Sequence, residues 1–350
     1  MVLFNSSNIT VQKVLDIVVK LATGSLIECP SLHNESTDSN PIPHSIHFIP
    51  HLPIPYAFAL FIASCASIAT VGISCMQIAY IWIYITHRER RTMLTYITST
   101  SPFVCLLSLF ALYMPRVWFL SHLIGFMYFT IALWVTISLL FNLFGGRGEL
   151  KERLTEQKIS IETSTPPFCC FLFFLPKLRV TNTALCLIEW MVIQSPLIRL
   201  FATILSLIFY FEYSTESYDM LKVIDFLALP SLLIGIYGTH ILVSTVSKLE
   251  ELWSYRYVSV FRILDLFLAL FGIQHAIFDF LGRIGLFGCG SAGLPQVETA
   301  FFWNNIAVTL ESFTVSLMAC FLLQPSRSAF FDKHPSCKGS TTASINTSVS

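Results

Sequence analysis

Charge is what this chain has least of. Lys, Arg, Asp and Glu together supply only 12% of its 350 residues, about half the share of an ordinary soluble domain. That scarcity excludes a nucleic-acid binder, which needs a basic face, and a disordered scaffold, which needs abundant charge. The 21 basic and 21 acidic residues cancel, so the total says nothing about partners. Catalytic signatures are missing as well. There is no His-Glu-x-x-His run, nucleophile elbow or glycine-rich phosphate loop, and Gly145-Gly146-Arg147-Gly148 reads as a helix stop. His33, His44, His47 and His51 lie in or beside a proline-broken stretch without the fixed spacing of a metal motif. The sequence therefore points away from an enzyme and calls for no cofactor and no metal.

What is present is apolar. Hydrophobic residues make up 54% of the chain, with 31 Phe and a mean hydropathy of +0.69. One soluble core cannot hide that much, so most of it must face lipid. Crossing the hydrocarbon layer takes about 20 mostly apolar residues. Seven runs qualify, at Tyr56–Tyr84, Leu94–Met114, Val117–Phe144, Thr183–Phe211, Leu221–Val246, Val258–Leu281 and Thr299–Leu323. Lipid cannot satisfy an open backbone, and the alternating ten-residue pattern of a barrel is absent, so the expected fold is all-α, a multi-pass bundle of seven transmembrane helices. No inverted or tandem repeat is visible.

Basic residues orient the bundle. Fifteen fall in one alternate set of loops, among them Arg88, Arg90 and Arg91 in the first loop and Arg147, Lys151 and Arg153 in the third; five fall in the other set, and Arg199 lies inside a span. The positive-inside rule then predicts an extracellular N-terminus and a cytoplasmic C-terminus. Acceptor triplets for N-glycosylation at Asn5, Asn8 and Asn34 lie on the predicted outer side, whereas the triplet at Asn346 falls in the tail. Lys13, Asp16 and Lys20 interrupt the early apolar residues, so this stretch reads as an amphipathic helix rather than a cleaved signal. The resulting divisions are an extracellular segment 1–55, a membrane domain 56–323 with a cytoplasmic loop 145–182, and a polar, disordered tail 324–350.

Two pairs of the ten cysteines stand apart. Cys29 and Cys289 are the two predicted outside, where an oxidising medium favours a disulfide between them. Cys169 and Cys170 lie in a proline-bounded apolar run, Pro166 to Pro176, of the cytoplasmic loop. Adjacent thiols beside Phe residues at the inner leaflet suit palmitoylation, and an inert loop plug is the alternative.

Polar residues inside spans are candidate sites because lipid penalises them. Arg199 in the fourth span and Glu311 in the seventh lie at similar depth, so they can pair if those helices touch. Arg199 is then either an anion-binding fork or half of a structural ion pair. Asn304, Glu311 and Thr314 share one helix face. On the sixth span Arg262 with Asp265, and His275 with Asp279, have spacings for local pairing; Glu189 and Asp225 lie near span ends, and His240 has no partner that sequence can name. Pro102, Pro196 (just after Gln194) and Pro230 interrupt three spans, and the carbonyls they free can line a path.

Several segments resemble the alpha subunit of the organic solute transporter family, the solute carrier 51 alpha-type transporters. They are Arg90-Arg91-Thr92, Ser101-Pro102, Met114-Pro115-Arg116, Phe144-Gly145-Gly146, the Pro166-to-Cys170 run where the family has a longer cysteine cluster, Gln194 with Arg199, and Leu310-Glu311-Ser312-Phe313. The resemblance implies a plasma-membrane protein that moves amphipathic organic anions, such as sterol or bile-acid conjugates, by facilitated diffusion, with a small single-pass beta-type subunit. The candidate substrate-binding residues are then Arg199, Glu311, Asn304 and Gln194. The other classes that fit seven helices are a receptor and a non-transporting organiser of trafficking or lipid composition. A receptor is disfavoured because Phe141-Asn142-Leu143 stands where an acidic-Arg-aromatic triplet would be.

Overall fold

A computed structural model describes residues 42–165, 178–213, 218–287 and 293–332. The expectations at Asn5, Asn8, Asn34, Cys29, Cys169, Cys170 and Cys289, and the amphipathic N-terminal helix, lie outside the described residues.

Among the described residues seven helices are long and apolar enough to cross a membrane. They are Ile54–Tyr84, Arg88–Tyr113, Trp118–Leu143, Asn182–Tyr213, Tyr218–Val246, Tyr257–Arg283 and Gln296–Leu322, called the first to seventh spans below. The second begins six residues before its expected start at Leu94, because Arg88, Glu89, Arg90 and Arg91 form its opening turn. Pro102, Pro196 and Pro230 sit inside helices that continue through them. At the end of the third span Gly145 and Gly146 take φ of 77° and 126°, where side chains are strained. The Gly146 amide donates back to the Phe141 carbonyl at 2.8 Å and closes the helix.

Packing follows the chain closely. The first, second and seventh spans form one mutually packed group. The third span lies on the second and fourth, the fifth lies on the fourth, and the sixth lies chiefly along the seventh. Small residues allow the close approaches. Gly235 and Gly238 of the fifth span face Ser195 and Val192 of the fourth, and Gly282 of the sixth faces Val297 and Ala300 of the seventh. Buried serines stitch the first group together, since helices in lipid gain little from apolar contact alone. Ser101 donates to the Ser312 carbonyl at 2.6 Å, Ser316 donates to Ser101 at 2.9 Å, and Ser74 lies 3.4 Å from Ser316.

We call the end where the first span starts, at Ile54, the upper end. There the short helix Ser45–Phe48 folds over the bundle, with Ile42 and Phe48 buried near Phe302. Arg116 donates to the Ile42 carbonyl at 2.9 Å and anchors that cover.

The lower end is closed by chain segments. Helix Arg147–Glu156 buries Leu150 and Leu154, and Arg147 reaches Glu189 of the fourth span at 3.1 Å. Ile161 and Leu178 pair as an isolated antiparallel bridge. The expected polar tail from 324 starts differently. Phe330 and Phe331 are buried in the main core, Ser328 donates to the Tyr255 carbonyl, and Asp332 accepts from Thr86 Oγ1 at 2.6 Å and the Thr86 amide at 2.8 Å. Two adjacent aromatic rings leave water by docking there, so the bundle extends to Asp332.

Candidate functional site

The fourth span turns Ser195, Arg199, Ala202, Thr203 and Ser206 inward on one face. Arg199 is only 6% exposed. Its Nη1 donates to Asp225 Oδ1 of the fifth span at 2.6 Å, and its guanidinium carbon lies 4.7 Å from the centre of the Phe126 ring. The remaining Nε and Nη2 have no hydrogen-bond partner, and neither do the hydroxyls of Ser195, Thr203 and Ser206. A guanidinium carries five donors in a planar fork. Here one is used, which leaves a buried cation with spare capacity for an anion.

Beside this pair stands a column of rings. Trp118 stacks on Phe301 at 4.0 Å between centroids, Phe301 on His275 at 4.8 Å, His275 on His122 at 3.5 Å, and His122 on Phe271 at 5.2 Å. His122 and His275 are both close enough to Arg199 to feel its charge. The same two imidazoles help to line a narrow upper cavity of about 10 Å³, together with Trp118, Ser121, Phe301 and Asn304. His122 thus borders that cavity and also packs edge-on against Phe126, the ring beneath Arg199, with 4.7 Å between centroids. Asn304 Oδ1 and Ser121 Oγ are buried without partners.

A lower cavity of about 40 Å³ lies between the first, second, sixth and seventh spans. Phe271 borders the upper cavity and Phe267 the lower, one helical turn apart. Phe129 of the third span packs against both, with centroids 5.0 and 5.3 Å away. These rings are the barrier between the cavities. The barrier is locked by reciprocal glycines: Phe271 Cζ lies 2.8 Å from where a Cβ on Gly125 would sit, and Phe126 Cζ 3.2 Å from that on Gly272.

The four substrate-binding candidates do not converge. Arg199 pairs with Asp225 rather than Glu311, because the second and third spans stand between the fourth and the seventh. Glu311 lies half-buried and accepts from the Gln274 amide, turned with its nitrogen toward the carboxylate, at 2.6 and 3.2 Å. Gln194 accepts from the Ser231 hydroxyl at 2.6 Å and donates to the Ser231 carbonyl at 2.9 Å, which clips the fourth span to the fifth beside Pro230. Asn304 alone of the four lines the upper cavity. Thr314 points outward while Asn304 is buried, so the expected polar stripe splits.

Other pairings also differ from the local ones. Asp279 binds Arg283 at 2.8 Å rather than His275. His240 does have partners, Asp265 at 3.1 Å and Arg262 at 3.4 Å, and so bridges the fifth and sixth spans. Glu189 and Asp225, expected near span ends, are ion-paired to Arg147 and Arg199. Sequence reasoning placed Asp225 near a span end without a partner, and passed over His122, Trp118 and Gln77. The first had a signal, since the fourth and fifth spans are consecutive and consecutive helices are usually neighbours.

Comparison with known proteins gives a consistent result. The family profile described as Organic solute transporter Ostalpha matches residues 59–328. The chain is 48% identical over 326 residues to organic solute transporter alpha-like protein 2 of Caenorhabditis elegans, covering 93% of each chain. It is 31% identical to alpha-like protein 3 of the same organism, covering 91% of each. Over 236 residues it is 22% identical to the organic solute transporter subunit alpha of Danio rerio, covering 66% of this chain and 71% of that one. No solved structure matches.

Proposed function

Because the chain belongs to the organic solute transporter Ostalpha family, we propose that it carries amphipathic organic anions, of the kind formed by sterol or bile-acid conjugation, across the plasma membrane by facilitated diffusion. The observation that carries this reading is Arg199, a buried guanidinium with two nitrogens unpartnered, beside a column of stacked rings that borders the upper cavity. A flat apolar body lies against the edge of such a column, and an anionic head facing it is attracted by Arg199, a buried cation on that side. Asp225 holds Arg199 when no anion is near, so an arriving anion competes with a carboxylate rather than filling an empty charge. Asn304 and Ser121 offer neutral hydrogen-bonding groups for the rest of the head. Glu311 and Gln194 act at a distance, through helix contacts.

In this reading the upper end faces outward, with sugars on Asn5, Asn8 and Asn34 and a disulfide between Cys29 and Cys289. Acyl chains on Cys169 and Cys170 hold the lower loop at the inner leaflet, and a single-pass beta-type subunit completes the transporter. The test is uptake of a radiolabelled steroid sulfate by cells expressing the chain, alone and with such a subunit. Uptake that saturates and is lost in Arg199→Gln at normal surface abundance is the expected result. Absence of flux in both arms, with the protein at the surface, would overturn the reading in favour of a receptor or a trafficking organiser.

A further inference from the structure

Gln77 is the single amide side chain of the first span, and it is 2% exposed with neither Nε2 nor Oε1 bonded. Thr98 of the second span is 6% exposed, and its hydroxyl is likewise unpartnered. Both line the lower cavity. The rest of that lining is apolar, apart from Thr100, Ser101 and Ser316, and contains no charged residue. Ser101 and Ser316 are already engaged in the serine stitching, so the free hydrogen-bonding capacity resides in Gln77 and Thr98.

We propose that the lower cavity is a binding site for the uncharged polar end of an apolar molecule, namely an alcohol of steroid or long-chain type, and that Gln77 recognises its hydroxyl. An amide presents a donor and an acceptor side by side, and a hydroxyl is both acceptor and donor, so one group satisfies the two orphaned functions. A sulfate or carboxylate would enter this cavity without a counter-charge, which low-dielectric surroundings disfavour strongly. Val260, Leu264, Phe267 and Val315 then cover the carbons next to that hydroxyl. The enclosed space, about 40 Å³, is room for the hydroxyl and the carbons beside it rather than for a whole steroid. The site differs in chemistry from the one built on Arg199 and stands whether or not that one carries anions.

The test uses the full-length protein in lipid nanodiscs, photolabelled with a tritiated, diazirine-bearing steroid alcohol and, in parallel, with its sulfate ester. The expected result is that the alcohol crosslinks to the segments 97–101 or 260–267, and the sulfate at least fivefold less. Gln77→Leu should lower alcohol labelling at least fivefold and Thr98→Val at least twofold. Gln77→Leu removes an unpaired buried amide, so its melting temperature should hold or rise; Thr98→Val supplies the answer if it does not. Equal labelling of the wild type and both variants, or equal labelling by alcohol and sulfate, overturns the proposal and leaves Gln77 to internal water. Alcohol labelling as expected in a protein that shows no steroid sulfate uptake supports this site and counts against the transport reading alone.

Discussion

The ring of Phe271 occupies the space that Gly125 leaves by having no side chain, 2.8 Å from where a Cβ would be. That contact sets how closely the third and sixth spans approach at the barrier between the cavities. Replacing Gly125 with Ala must displace the ring. We expect at least a fivefold loss of steroid sulfate uptake at unchanged surface abundance. Gly72→Ala in the first span is the matched control, because nothing lies within 4 Å of its Cβ; its uptake should equal wild type.

Arg199 and Asp225 should behave as a unit in stability. Asp225→Asn alone strands a buried cation, and breaking a buried pair from one side costs about 3–5 kcal/mol. Arg199→Gln combined with Asp225→Asn removes both charges and should recover most of that loss. Thermal unfolding of the purified single and double variants measures it. Simple additivity of the two would sink the pairing.

Gln194 and Ser231 are expected to matter for rigidity rather than for solute choice. Gln194→Leu leaves the Ser231 hydroxyl and carbonyl short of a partner, at about 1–3 kcal/mol. The melting temperature should fall while the ranking of competing anions in an uptake assay stays the same. A reordered ranking would instead put Gln194 in the solute path.

Asp332 and its neighbours should fasten the lower end. Phe331→Ala deletes a fully buried ring, a change worth about 3–5 kcal/mol in a core. Asp332→Asn weakens two bonds to Thr86. Limited proteolysis from the lower side should then cut near Ser328 in both variants, faster in Phe331→Ala. Unchanged cleavage rates would argue against the docking.

The seven spans were legible because length and hydropathy are properties of a line of residues. Span ends were less so, as Arg88 to Arg91 show: a helix can begin in water and enter lipid a turn and a half later. Arg199 announced itself by being charged among apolar neighbours. Its partner did not, because residues at equal depth need not share a contact, and only packing decides that Asp225 rather than Glu311 is within reach. Gln77 was missed for a related reason. A search for charges does not register an amide, although burial without a partner penalises both. His122 and Trp118 look like ordinary membrane residues in sequence, and only the stacking of five side chains from three helices makes a wall of them.

The sixth span has 27 residues, a rod of roughly 40 Å at 1.5 Å per residue. Phe271 and Gly272, where the third span grips it, lie close to its midpoint. The upper cavity meets this rod above the grip and the lower cavity meets it below. The seventh span supports it along its length while the third grips it near the middle, so one and the same rod joins the walls of both chambers.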